Sequence, residues 1–248
     1  MTSKIIIQDK YELISIINNG GFSKIYKGKH IYKDKYVAIK FDFNEISKHL
    51  IYNEIDIYLD LLKHRGNFFI NIKTFGKIEN KNYIIMDYIP DTIEHYVDKN
   101  IDKLDSKNVL KELINIIKHF HYYGYVHRDI KPDNVLVKNN KLYLIDFGLA
   151  TKRNRQKYNN FIGNRLFSSY QVYLDEYEYR KRDDIISCYY IIFYLFSNKL
   201  LPWKSLYIND KSKEKLIYYN IKKNSNFELF YKDKNLTDII KEYNNMHI

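Results

Sequence analysis

Apolar and polar residues alternate through the first third of the chain and then change period. Tyr11–Ile17, Lys24–Tyr32 and Tyr36–Phe41 each read as a half-buried strand. The period then lengthens. Leu50, Ile51, Ile55, Tyr58, Leu61 and Leu62 fall near helical spacing and predict a helix over Ile46–Lys63. Two further strands are expected near Ile70–Ile78 and Asn82–Asp87. Tyr88-Ile89-Pro90-Asp91 then reads as a connector, because proline cannot continue a ladder. Beyond it helical periods dominate. Ser106 is the expected N-cap of a helix with apolar Leu110, Leu113, Ile114, Ile117 and Phe120, and Gly124 its expected stop. Short strands Val135–Val137 and Leu142–Ile145 flank Asn139-Asn140. Ile185–Phe196 is apolar nearly all round, which predicts a helix in the middle of its lobe. The pattern is α+β: a small strand-rich part, a connector, then a helical part.

Composition alters this picture little. The chain has 248 residues, enough for one large domain or two coupled lobes. Tyr reaches 26 while Gly is only 8 and Pro 3, and Ile, Lys and Asn are frequent. All four frequent types have A/T-rich codons. An A/T-rich genome explains them before any function does, and a large DNA virus and a cellular host fit equally. The net charge of +11 is compatible with a polyanion partner. The charges are spread along the whole chain, so a solvated basic surface is the preferred reading and nucleic acid is not an expected partner. Cys188 is the only cysteine, which excludes an internal disulfide and fits a reducing compartment. The opening MTSKIIIQDKYE has too short an apolar run for a signal peptide, Thr2 excludes myristoylation, and Ile185–Phe196 is too short to span a bilayer. A soluble, intracellular protein is expected, cytoplasmic with the nucleus left open. Oligomeric state is not legible.

Chemistry concentrates in His127-Arg128-Asp129-Ile130-Lys131-Pro132-Asp133-Asn134, on a loop between a helix and a strand. Phosphoryl transfer needs a carboxylate near the attacking hydroxyl and an oxygen ligand for magnesium. Asp129 and Asn134 match those needs, and Lys131 can neutralise charge on the migrating group. Asp146-Phe147-Gly148 follows the strand Leu142–Ile145. Magnesium takes hard oxygen ligands, few of them from protein, and Asp146 would join Asn134 in supplying them.

Upstream, Val37-Ala38-Ile39-Lys40 alternates so that Ala38 and Lys40 share one strand face. The small Ala38 leaves room for a flat ring, and Lys40 would hold the α- and β-phosphates of ATP. Glu54, in the predicted helix, is the expected partner of Lys40, ahead of Glu45, Asp56 and Asp60. The phosphate loop is the least regular motif: Ile17-Asn18-Asn19-Gly20-Gly21-Phe22-Ser23-Lys24-Ile25-Tyr26. Against the usual G-x-G-x-x-G-x-V, only Gly20 is in register; Asn18 and Ser23 replace the outer glycines. Asn tolerates positive φ, so the first change is expected to be mild. Ile17, Asn18, Gly20, Phe22, Ser23 and Ile25 are the nucleotide contacts expected from this loop.

These motifs resemble those of eukaryotic-type protein kinases over nearly the full length. Within them, GGFSKIYKG, Tyr52-Asn53-Glu54, LIDFGLATK and RKRDDIISCYYIIFYLFSNKLLPW are similar to the casein kinase I and vaccinia-related kinase group. The resemblance implies a bilobal kinase fold over 1–248, with an N-lobe at 1–87, a hinge at 88–91 and a shortened helical C-lobe at 92–248. It implies ATP and magnesium as cofactors and a protein substrate. It makes Met86 the gatekeeper beside the adenine, followed by Asp87 and Tyr88. It makes Asp184 the buried carboxylate that anchors the catalytic-loop backbone. Ser168-Ser169-Tyr170 stands where Ala-Pro-Glu is usual, and Asn164 replaces a usual Thr, with a bond to Asp129 or Lys131 still within its reach.

HRDIKPDN with Lys131 resembles the serine/threonine form. Thr151–Ile162 offers only Thr151 and Tyr158 as hydroxyls, so activity without phosphorylation of this segment is expected. Lys152, Arg153, Arg155 and Lys157, with Arg165 and Arg180-Lys181-Arg182, suit either an anion site for acidic or already phosphorylated substrates, as the resemblance implies, or a solvated basic surface. The competing readings are a pseudokinase scaffold, motivated by the irregular glycine loop, and a nucleic-acid binder, motivated by charge.

Overall fold

The computed structural model describes residues 4–20, 23–42, 44–64, 68–152, 161–206, 208, 210, 213–231 and 236–246. The chain divides into two compact units. The first comprises 1–90 with 143–149, and the second 91–142 with 150–248.

The first unit is built on a six-stranded antiparallel sheet. Its strands are β1 (Ile6–Ile7), β2 (Tyr11–Asn19), β3 (Ser23–His30), β4 (Lys35–Asp42), β5 (Ile72–Ile78) and β6 (Lys81–Asp87), in the order β1-β2-β3-β4-β6-β5. Alternation sorts the sheet into two faces. Val37, Ile39 and Phe41 of β4 and Tyr83 and Ile85 of β6 join Ile7 and Tyr11 in a buried core on one face. Ala38, Lys40, Ile84 and Met86 point to the other. Helix α1 (Glu45–Leu62) packs against β4 and β6.

Asn44 starts α1 with a reciprocal cap: its Oδ1 accepts from Ser47 N at 2.9 Å, and Ser47 Oγ accepts from Asn44 N at 2.6 Å. Ile51, Ile55, Tyr58 and Leu61 form the buried stripe, whereas Leu62, expected with them, is 46 % exposed. The returning segment brings Phe147 into this unit, with its ring 4.7 Å from Tyr58 and 5.8 Å from Phe69.

In the second unit β7 (Asp91–Thr92) runs directly into α2 (Ile93–Asn100) and α3 (Ser106–Tyr122) follows. Asp91, expected in the connector, thus pairs instead with Val137. The N-cap of α3 is also displaced by one residue from the expected Ser106. Ser106 is already helical, and Asp105 is the extended residue whose Oδ1 accepts from Lys107 N at 3.1 Å. Its carboxylate also suits the positive end of the helix. Gly124 follows the α3 C-cap at φ +88, the left-handed backbone that stops a helix.

The remaining strands are β8 (Tyr125–Val126), β9 (Val135–Lys138), β10 (Lys141–Leu144) and β11 (Thr151–Lys152). The unit boundary falls within β10. Strand β8 pairs with β11 and β7 with β9. Helix α4 (Lys181–Leu195) is buried on all sides from Ile186 to Phe193. It packs on α2, on α3 and on α7 (Thr237–Met246), which follows α5 (Glu214–Asn224) and α6 (Phe227–Phe230). Aromatic rings fill the space beside it: Tyr190 lies 4.8 Å from Trp203, and Phe193 4.7 Å from Phe227. Each such fully buried side chain contributes roughly 1.5–3 kcal/mol. Among the described residues no helix is long and apolar enough to cross a membrane.

Candidate active site

Sheet register assembles the first group of site residues. Asn18 pairs with Ile25, Ile25 with Lys40, and Lys40 with Ile84, so these four lie in one row across β2, β3, β4 and β6. The neighbouring pair Ala38–Met86 lies on the same face. Lys40 is buried, and its Nζ lies 2.6 Å from Glu54 Oε2 and 2.7 Å from Asp146 Oδ1. Burial opposes the ammonium charge, but the two carboxylates outweigh it and raise the Lys40 pKa. Burial also lifts the Glu54 carboxyl above its usual range, against the pull of Lys40. Asp146 sits at φ 65, in the left-handed region that Asp adopts more readily than most non-glycine residues.

The expected loop contacts follow the strands. Ile17 and Asn18 lie in β2 just before its last residue, Asn19, and Asn18 is extended rather than left-handed, so the φ tolerance of Asn is not used. Gly20 N donates to Ser23 O at 3.0 Å, and Ser23 opens β3. Phe22 lies outside the described residues. At the end of β6, Asp87 is paired with Lys73 at 2.7 Å. Tyr88 lies half-buried 6.3 Å from the Tyr36 ring, with Lys27 Nζ 5.1 Å from its own ring.

The second group lies in the second unit, between β8 and β9. Asp129 is 7 % exposed. Its Oδ2 accepts from Lys131 Nζ at 2.6 Å and from Asn134 Nδ2 at 3.1 Å, and its main-chain oxygen accepts from the same Asn134 nitrogen at 2.8 Å. With its nitrogen committed to Asp129, Asn134 has its amide oxygen left to offer a cation. Asp184, at the start of α4, fixes the loop from beneath. Its Oδ2 takes His127 N–H at 2.8 Å and bonds His121 Nε2 at 2.7 Å, while Oδ1 takes Arg128 N–H at 3.0 Å. Burial works against this carboxylate, yet the His121 and backbone bonds hold its pKa below the usual range. Arg128 has φ 70, and Gly163 packs so closely that a Cβ there would come 2.3 Å from Arg128 O.

The segment after Gly163 is tied down by residues the sequence did not single out. Asp183 is fully buried and accepts from Ser169 Oγ, from Tyr177 OH at 3.0 Å and from Arg180 N at 2.7 Å. Burial nevertheless pushes its carboxyl up to about 6. Lys222 of α5 is 1 % exposed and donates to Arg165 O at 2.6 Å and Ser168 O at 2.5 Å. Its Nζ also lies 5.0 Å from the Trp203 ring centre and 5.2 Å from that of Tyr173. Burial drives its pKa well down, while the carbonyls and ring faces favour the ammonium. Asn164 corrects an expectation: its Oδ1 accepts from Leu166 N at 2.8 Å and Phe167 N at 3.3 Å, closing its own turn rather than bonding Asp129 or Lys131.

Arg165 is paired with Glu214 at 2.9 Å, whereas Arg180, Lys181 and Arg182 are exposed. The basic residues 153, 155 and 157, and Tyr158, lie outside the described residues. No cluster of three or more His, Cys, Asp or Glu suited to a metal occurs among the described residues. Magnesium keeps few protein ligands and takes hard oxygens; the carboxylate of Asp146 in the first unit and the amide oxygen of Asn134 in the second are each an oxygen of that kind.

A lysine doubly paired with carboxylates in one unit, and a carboxylate braced by a lysine and an amide in the other, are the parts phosphoryl transfer requires. A family model described as the protein kinase domain matches residues 11–246, and the chain belongs to that family.

Proposed function

We propose that this chain transfers the γ-phosphoryl group of ATP, with magnesium, to serine or threonine of protein substrates. The observation that carries the reading is the bracing of Asp129 by Lys131 and Asn134. Both side-chain bonds end on Oδ2. Oδ1 is then the oxygen to which a substrate hydroxyl gives its proton, and Lys131 stands ready to offset charge on the migrating group. Lys40, oriented by Glu54, holds the nucleotide phosphates; Asp146 and Asn134 supply metal oxygens. Ile17, Asn18, Gly20, Phe22, Ser23, Ile25, Ala38, Met86, Asp87 and Tyr88 are the remaining nucleotide contacts of this reading. Bound ATP brings the transferable group, and magnesium neutralises the charge that develops on it.

The resemblance to the casein kinase I and vaccinia-related kinase group supports a preference for acidic or primed sites, and the exposed Arg180, Lys181 and Arg182 support it too. The replacement of two loop glycines by Asn18 and Ser23 favours the competing reading of a pseudokinase scaffold. The deciding experiment incubates the purified chain with magnesium, labelled ATP and casein, beside Asp129→Ala, and maps the phosphosites. Phosphoserine or phosphothreonine that disappears with Asp129→Ala is the expected result. Phosphotyrosine alone, or no transfer that depends on Asp129, overturns the proposal. On a peptide array, a preference for basic flanking residues removes the acidic-site assignment.

A further inference from the structure

Helix α1 carries Glu54, and the residue beside it has a task of its own. Asn53 Nδ2 donates to Gly148 O at 2.9 Å and to Phe147 O at 3.2 Å. A primary amide has two N–H groups on one nitrogen, and here they meet the carbonyls of two consecutive residues. Those residues directly follow Asp146. The contact is close by design of the backbone: a Cβ on Gly148 would lie 3.3 Å from Leu50 Cβ and 3.4 Å from Leu50 O, tighter than ordinary packing. Phe147 is fully buried against Tyr58, so its carbonyl cannot turn outward without moving the ring from the core.

A second polar chain holds the same helix to the sheet. Tyr52 OH donates to Asn82 Oδ1 at 3.0 Å. Asn82 in turn donates through N and Nδ2 to Asp42 Oδ1 and Oδ2, at 3.0 and 2.6 Å. Asp42 lies on β4, as Lys40 does. The helix bearing Glu54 is thus linked through Asn82 of β6 to the strand bearing Lys40, and bonded directly to the segment bearing Asp146.

We propose that Asn53 is a positioning residue: it binds the Asp146-Phe147-Gly148 segment to α1, so that Glu54 and Asp146 reach the Lys40 ammonium together. The inference rests on the reading of Lys40 and Asp146 as the nucleotide- and metal-holding pair. It makes the position of the helix and the position of Asp146 a single variable. The two carbonyls that follow the left-handed Asp146 are thereby held from outside the segment.

Asn53→Leu keeps the size and removes both donors. Asn53→Ser, too short to reach both carbonyls, serves if the leucine variant does not fold. Asn53→His returns an N–H near the same place. The full chain is followed by steady-state kinetics and by hydrogen exchange without nucleotide. With Asn53→Leu, kcat should fall about 10–100-fold, the range two lost hydrogen bonds span, with KM for a peptide substrate nearly unchanged. Exchange should quicken in the segments around Gly148 and Glu54 while α3 and α4 keep their wild-type rates, and Asn53→His should recover part of both effects. Wild-type exchange and turnover in Asn53→Leu overturns the proposal. So does a loss spread evenly over all helices that histidine does not relieve. Asp146→Asn, run in parallel, isolates the underlying reading: full turnover in that variant defeats the site assignment, while the exchange data still judge the tether.

Discussion

Lys40 Nζ and Glu54 Oε2 lie 2.6 Å apart, and Glu54 is only 1 % exposed. Removing the cation leaves a buried carboxylate without its counter-charge. Lys40→Met should therefore destabilise the fold by about 3–5 kcal/mol near neutral pH. The loss should shrink as the solution is acidified. Glu54 has a raised folded pKa, so the folded state binds its proton more tightly; the penalty of ionisation is full above that pKa, shrinks as pH falls through it and is gone below the unfolded pKa. The double variant Lys40→Met/Glu54→Gln should recover much of the stability. Urea melts by circular dichroism across pH check both points, and equal losses for single and double variants would count against the coupling.

Asp184 turns three donors into a fixed loop: the N–H groups of His127 and Arg128 and the His121 ring. Asp184→Asn replaces one acceptor oxygen by an NH2 group facing an N–H donor. The loop must shift, and a misplacement near 1 Å costs on the order of 10²-fold in rate. Steady-state kinetics should show that fall in kcat, with the variant still folded by circular dichroism.

Asp183 predicts a pH effect of a particular sign. Burial pushes its folded pKa up to about 6, above the ordinary carboxylate range. Folding therefore favours its protonated form. The stability it lends is fully present below the unfolded pKa and lost as pH rises through about 6. Relative to Asp183→Asn, the wild-type chain should gain on the order of 1–3 kcal/mol between pH 7 and pH 4, at about 1.4 kcal/mol per pKa unit. Urea melts of both chains over that range measure the difference. A gap that does not change with pH, or that widens in favour of the variant at low pH, contradicts the assignment.

Lys222 predicts an effect on substrate binding. Lys222→Met keeps the length of the side chain but takes the ammonium donor from Ser168 O, while Arg165 O keeps the Tyr173 hydroxyl at 3.0 Å. An unsatisfied buried carbonyl costs about 1–3 kcal/mol, offset in part because a buried charge disappears. Stability should fall by about 1–3 kcal/mol on the same grounds. KM for a protein substrate should rise more than KM for ATP, because the released segment borders the loop carrying Asp129.

What could be read from the chain was what lies together along it. Lys40, Asp129, Asn134 and Asp146 sit in short runs whose letters constrain one another, and the strands of the first unit announce themselves by alternation. Glu54 needed one long-range inference, from helix to strand, and the geometry puts it beside Lys40. The roles that the sequence does not show belong to side chains whose partners lie far away along it. Asn53 answers to Gly148, and Lys222 to Arg165 and Ser168. Nothing local separates Lys222 from the other 40 lysines and arginines of a 41-residue total, because only the fold takes it out of water. Asn164 departs from expectation for the opposite reason, since its side-chain oxygen is satisfied inside its own turn.

Trp203 is the sole tryptophan of the chain, fully buried in the second unit and donating its indole N–H to Leu166 O at 2.7 Å. That makes it a built-in optical reporter of one unit only. Selective excitation of the indole follows the melting of the rings packed around α4 and should miss any earlier loosening of α1 and its sheet. A mismatch between fluorescence and circular dichroism midpoints would then read as two separate cooperative transitions in a single polypeptide.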